Sequence, residues 1–272
     1  MSQIEILEGA EDWRDRYARW KQINELRGDE VGEHYPWVVN RRAPFRPARR
    51  ALPMLNLALV TSAGVYLDGT EPFDTEKFGG DTSLREIPVE VGPEDLKWTA
   101  RGYDEAHVLE DMNAQVPLDR LKEFAGNGII GQLNPVFWSI SGFIPNAARF
   151  AATGIPQLIE RVRRYEVQAV LLVPASRLCH QTVSLAARAI EAAGVPTMTL
   201  AVARTVVEQA RPPRAAYYPG EFGCVVGKPD WPEYQRRVLD EALRLVEPID
   251  QPSVRNLVVA RATEVEMERG ER

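Results

Sequence analysis

Sulfur and imidazole are scarce in this chain, whose 272 residues include two cysteines and three histidines. Cys179 and Cys224 lie far apart and make no disulfide scaffold, so a reducing cytoplasm is the expected setting. Excess positive charge is lacking as well. Lys plus Arg number 33 against 39 Asp plus Glu, a net charge of -6, which argues against a nucleic-acid surface. No apolar run approaches the roughly 20 residues that cross a bilayer. The opening Met1 to Glu8 is acidic and has no apolar signal core, so neither export nor membrane insertion is expected. Thr61 to Gly64 offers too little glycine and no lysine for a phosphate loop, and no GxGxxG follows a strand. No cofactor is expected.

What the chain does have is an alternation of apolar runs and helical patterns. Glu11 to Arg27 reads as an amphipathic helix with Trp13, Tyr17, Trp20 and Ile23 on one face. His34 to Arg50 follows as a proline- and arginine-rich arm. Its Arg41, Arg42, Arg46, Arg49 and Arg50 suit salt bridges or solvent, the alternative being an anionic partner. Strands are predicted at Leu55 to Thr61, across Ile130 to Ile140 with a break at Pro135, at Val167 to Val173, and at Val195 to Val202. Helices are predicted at Ala147 to Tyr165, with an interruption near Gly154 and Pro156, and at Trp231 to Val246. Another follows Val173, burying Val183, Ala186, Ala187 and Ile190 and ending at Gly194. The fold class is therefore α/β, a mainly parallel sheet with flanking helices behind an N-terminal helical arm. Expected boundaries are 1–50 for helix and arm, 51–249 for the α/β domain, and 250–272 for a charged tail, with Glu264 to Arg272 a helix end or loose end.

Chemistry concentrates after the apolar run that ends at Pro174. Ser176, Cys179, His180 and Gln181 stand where a strand gives way to a helix, the edge at which open α/β sheets bind ligands. A helix N-terminus favours negative charge on sulfur, and a neighbouring imidazole can tune or shuttle its proton. The same residues also suit a buried cysteine beside a helix cap. Thr61 and Ser62 follow the first strand and face the same edge. Asp81, Thr82, Ser83 and Arg85 crowd a glycine turn where Arg85 can fork onto a substrate carboxylate, or where the side chains simply bond their own turn. Asp104, His107, Asp111 and Asn113 fit no standard zinc or calcium spacing, so no metal is expected, and Asp119 suits a helix start. Cys224 reads as a packed free cysteine, with a place opposite Cys179 as the alternative.

These pieces together resemble the glycine/sarcosine/betaine reductase component B and D-proline reductase selenoprotein family. The resemblance rests on Leu57 to Val65, Glu71 to Asp74, Gly80 to Pro88, Tyr103 with Asp104, Asp111 to Asn113, Pro117 to Leu121 and Pro174 to Thr182. Arg211 to Arg214 and Gly227 to Pro229 extend it, so that it covers about residues 54–246. It implies a redox motif, Pro-x-(selenocysteine or cysteine)-x-x-Cys, whose first member attacks the substrate carbon and cleaves its bond to nitrogen. The second cysteine maps to Cys179, and the nucleophile position to Ser176. A serine forms no disulfide, and without a base it is a poor nucleophile. A family histidine beside the Tyr-Asp pair is missing, with Gly102 before the pair and Glu105 after it.

Three functions fit this pattern. The first is an enzyme in which Cys179 acts on a small amino-acid-like or carboxylated substrate, on a reductase-like scaffold lacking the full redox pair. The second is a reductase-like enzyme that cleaves a C–N bond with an external thiol, and the third a non-catalytic binding subunit. In the leading case Cys179 reacts, His180 handles its proton, Ser176 bonds the substrate and Arg85 anchors it. Thr61, Ser62, Asp81, Ser83, Asp104 and Gln181 complete the pocket. A small molecule is the expected partner, joined by a partner subunit or a second copy of the chain.

Overall fold

Six residues that are buried without exception, Asn56–Thr61, form β1, an interior strand of the sheet. The computed structural model describes residues 5–27, 31, 34–76, 79–259, 265, 266 and 269. Outside these lie Met1 to Ile4 of the segment read for export, and most of Glu264 to Arg272. Before β1 come α1 (Ala10–Arg27) and the arm; after it come β2 (Val65–Leu67), β3 (Leu84–Pro88) and β4 (Leu96–Trp98). Two short helices follow, α2 (Ala106–Glu110) and α3 (Leu118–Gly126), then β5 (Gln132–Leu133) and β6 (Val136–Ile140). The remainder alternates: α4 (Ala147–Arg164), β7 (Ala169–Val173), α5 (Arg177–Ala192), β8 (Thr197–Ala201), α6 (Arg204–Ala210), β9 (Arg214–Tyr217), α7 (Pro232–Arg244) and β10 (Ser253–Asn256).

The main sheet runs β10-β9-β8-β7-β1-β6-β3, with β5 also on β1, and β2 pairs with β4 apart from it. Every pairing in the main sheet is parallel except that of β3 with β6. The mainly parallel α/β sheet read from the sequence is thus present. Residues alternate between its faces. Leu57, Leu59, Leu171 and Val173 join a core under α3 and α7, whereas Ala58, Val60, Val170 and Leu172 join one under α4 and α5. Among the described residues no helix is long and apolar enough to cross a membrane.

Four local expectations need amending. The α4 helix is continuous. Pro156 removes a bond to the carbonyl of Ala152, an exposed residue that water can serve, and Gly154 lets the helix approach Thr82, whose carbonyl would lie 2.8 Å from an added Cβ. Leu84 to Pro88 continues from the glycine turn as an edge strand, ending on a proline that has no ladder hydrogen to offer. Ser253 to Asn256, assigned to the tail, pairs with Arg214 to Tyr217 as the other edge. Finally, Ile23 is 53% exposed, while Trp13 and Tyr17 are buried. Trp13, Tyr17, Trp20, Tyr35 and Trp37 form a continuous ring ladder that binds α1 to the arm.

Candidate functional site

Strand order sets where a crevice opens. After β1 the chain lays down β3, β5 and β6 on one side and then, through α4, crosses to β7 on the other. At such a reversal the carboxyl ends of neighbouring strands part. Thr61 pairs with Val173 at these two ends, so Ser62 and Ser176 emerge close together.

Ser176 starts α5 as its N-cap, in extended backbone, with Oγ accepting the Cys179 N–H at 3.2 Å. The same hydroxyl donates to Cys179 Sγ at 3.0 Å. The Cys179 S–H faces two carbonyl oxygens, those of Ser62 and Gly142, each 3.2 Å away. One sulfur therefore ties together the ends of β1 and β7 and the turn after β6. Cys179 is 1% exposed and Ser176 2%. Gly102 lies against Ser176: an added Cβ there would sit 3.2 Å from the serine Cβ, and its φ of +79° favours glycine. Tyr103 continues this cover and donates its hydroxyl to Ala63 O at 2.6 Å.

His180 is fully buried and points both ring nitrogens at backbone. Nδ1 bonds Ser176 O at 2.7 Å, while Nε2 accepts the N–H groups of Val202 at 3.0 Å and Ala203 at 3.2 Å. The acceptor role at Nε2 assigns the proton to Nδ1. Burial holds its pKa down at about 4, against an ordinary 6.5, and the bond to Ser176 only partly offsets this. Its expected work as a proton shuttle for the sulfur finds no geometric support, because neither nitrogen bonds Sγ.

The other expected residues divide. Thr61 Oγ1 donates to Val173 O at 3.2 Å, and Ser62 Oγ is buried with no partner among the described residues. Asp81, Ser83 and Arg85 knot their own loop. Asp81 accepts from Asp74 N, Ser83 N and Ser83 Oγ; burial raises its carboxyl, but these bonds and the Arg85 charge outweigh it and leave the pKa lowered. Arg85 gives its donors to Glu71 O, Pro72 O and Ser83 Oγ and stacks over Phe73, which engages the fork expected to hold a substrate. Asp104 is exposed and accepts from Ala106 N. Gln181 bonds the arm instead, through Val38 N and Tyr35 Oη. Sequence reasoning missed Gly142, because a backbone carbonyl leaves no mark in a side-chain pattern; the Ser141-Gly142 pair after β6 was the available signal.

Cys224 is a free thiol, as is Cys179. Its sulfur lies with His107 and Glu221, the three donor atoms all within 4.8 Å of one another. Burial, then the Glu221 carboxylate, pushes this thiol up to about 11. Asp111, Asn113 and Asp119 instead bond one another, and Asp111 also takes the Gln235 amide at 2.7 Å, which joins the segment between α2 and α3 to α7.

The family model described as glycine/sarcosine/betaine reductase selenoprotein B matches residues 20–175, ending one residue before Ser176. D-proline reductase subunit gamma of Acetoanaerobium sticklandii is 30% identical over 214 residues, 79% of this chain and 86% of that protein. The sarcosine reductase complex component B subunit beta of Peptoclostridium acidaminophilum is 30% identical over 188 residues, 66% of this chain and 41% of its own length. The glycine reductase complex component B subunit gamma of Symbiobacterium thermophilum is 27% identical over 249 residues, 85% of this chain and 56% of its own. The chain thus spans most of the first relative and about half of the other two. No solved structure gives a significant match.

Proposed function

The chain belongs to the glycine/sarcosine/betaine reductase selenoprotein B family, and from that premise we propose that it is a subunit of a reductase-type complex with Cys179 as its reactive thiol. Relatives named as reductase subunits for D-proline, sarcosine and glycine support a small amino-acid-like substrate. The observation that carries the proposal is the contact of Ser176 Oγ with Cys179 Sγ, 3.0 Å apart at the crevice between β1 and β7.

Reductive C–N cleavage needs two electrons and two protons. One thiolate displaces nitrogen from carbon, the amine leaves protonated, and a second thiol then attacks the sulfur to release the reduced carbon and form a disulfide. Ser176 holds no sulfur for that second step, so an external thiol, free or on a partner subunit, supplies it. Within the chain Ser176 orients the sulfur and caps α5. His180 positions the start of the helix. Ser62 Oγ, buried and unpartnered among the described residues, is the group assigned to the substrate. A second reading, a binding subunit without chemistry, is favoured by the closure of the site under Gly102 and Tyr103.

Iodoacetamide labelling read by peptide mass spectrometry tests the proposal, with Cys224 as internal reference. One of D-proline, sarcosine or glycine is expected to slow labelling of Cys179 severalfold, and Cys179→Ser to abolish thiol-dependent amine release by the assembled complex. If labelling ignores all three compounds and the Cys179→Ser complex keeps its activity, the thiol role is wrong and the binding subunit stands.

A further inference from the structure

A second cluster of donor atoms lies outside the Cys179 centre and plays no part in the chemistry proposed for it. His107 comes from α2, while Glu221 and Cys224 come from the loop after β9, three residues apart. Imidazole nitrogen, carboxylate oxygen and thiol sulfur are the three protein donors that zinc takes. We propose that His107, Glu221 and Cys224 form a binding site for Zn2+ or another borderline-soft divalent cation, with water completing the shell.

The spacing suits that ion. Metal–ligand bonds of about 2.0–2.3 Å in a tetrahedron put neighbouring ligand atoms roughly 3.3–3.6 Å apart. His107 Nε2 and Glu221 Oε2 are already 3.8 Å apart, and each of the two residues offers a donor atom within 4.8 Å of Cys224 Sγ. Modest side-chain rotation closes the remaining gap. Backbone contacts hold the two segments together. Gly223, at φ +81°, presses against the other segment so closely that an added Cβ would meet Tyr103 Cδ2 and Asp104 O, both at 2.8 Å. Its N–H also donates to Ala175 O at 2.9 Å, anchoring the loop to the end of β7. The ligands are graded in exposure, which gives an ion both a path in and a water-filled position. The His107 side chain is 28% exposed and that of Glu221 60%, while Cys224 is buried. Three protein ligands with an open position are the pattern of a zinc site that keeps water, and a thiolate–imidazole set selects against magnesium and calcium. An ion here would cross-link the loop after β9 to the segment that carries Gly102 and Tyr103 over Ser176. None of this depends on what Cys179 does.

Cobalt(II) provides the test, because a Co–thiolate bond absorbs in the near ultraviolet. The full chain, stripped with chelator and titrated with CoCl2, should bind one equivalent with that band, and ZnCl2 should displace it. The Cys179→Ser protein should keep the band and Cys224→Ser should lose it. His107→Gln, at a partly exposed position that leaves folding intact, should bind Co2+ at least about 10-fold more weakly. Zn2+ should raise the melting temperature of the parent chain and leave that of Cys224→Ser unmoved. If no thiolate band forms in the parent chain, the site does not exist. A band that survives Cys224→Ser, or binding unaltered in His107→Gln, overturns the ligand assignment.

Discussion

Cys179 and His180 are adjacent in sequence and serve different ends. The sulfur is held by the Ser176 hydroxyl and two carbonyls, while the imidazole pins the backbone of Ser176, Val202 and Ala203. A histidine buried neutral makes stability depend on pH. Its folded pKa, about 4, lies below the ordinary 6.5, so between these values the unfolded chain binds more protons. The contribution is present in full above pH 6.5 and is lost as pH falls toward 4, amounting to about 3 kcal/mol. Urea unfolding at steps from pH 7 to pH 4 should show that loss, and His180→Gln should remove it from the slope. An unchanged slope in the variant would mean that other groups govern acid sensitivity. Adjacency in sequence suggested a thiol–imidazole pair. On a helix, neighbouring side chains point about 100° apart, which is why the pair does not form.

At the scale of the element, α5 carries both the site and the attachment of the arm. Its start after Pro174 is legible in sequence, and the structure adds that Ser176 is the N-cap, accepting the N–H of Cys179 three residues on. Two substitutions at Ser176 separate stability from chemistry. Ser176→Ala should cost about 1 kcal/mol in a urea titration through loss of the cap. Ser176→Cys should set two sulfurs within bonding reach, since Oγ and Sγ are 3.0 Å apart. Thiol titration should then find two fewer free thiols after mild oxidation, restored by dithiothreitol; thiols that persist would place the two side chains wrongly. The far side of α5 was not legible. Gln181, expected in the pocket, is buried instead by Tyr35 and Val38, and Arg188, of a residue type that is mostly exposed, is buried by carbonyls of Glu5, Ile6, Arg42 and Arg211. Helical period reports the face that meets the sheet, not what a distant arm later covers.

The whole molecule closes around one buried ion pair. Glu191 at the end of α5 meets Arg214 on β9, both side chains fully buried. Glu191 also accepts from Thr197 and from Arg46 N, and Arg214 donates to Arg46 O while stacking over Phe45. Helix, two strands and arm therefore share one pair of charges. Removing one partner strands the other, so Glu191→Gln should destabilise the chain by about 3 kcal/mol or more in urea. Adding Arg214→Met should recover part of that loss, because no buried charge is then left over. Additive effects of the two changes would show that the pair is not coupled.

The sequence by itself determined the α/β alternation, the buried parallel strands and the place of Ser176 and Cys179 at a strand end. These rest on periodicity and caps that act within a few residues of chain. Tertiary structure alone decided that Ser62 and Gly142 face the sulfur, that the arm sheathes α5, and that His107 meets Glu221 and Cys224. Those meetings depend on which strands become neighbours. That order is set by burying the whole chain's apolar surface at once, which no local pattern records.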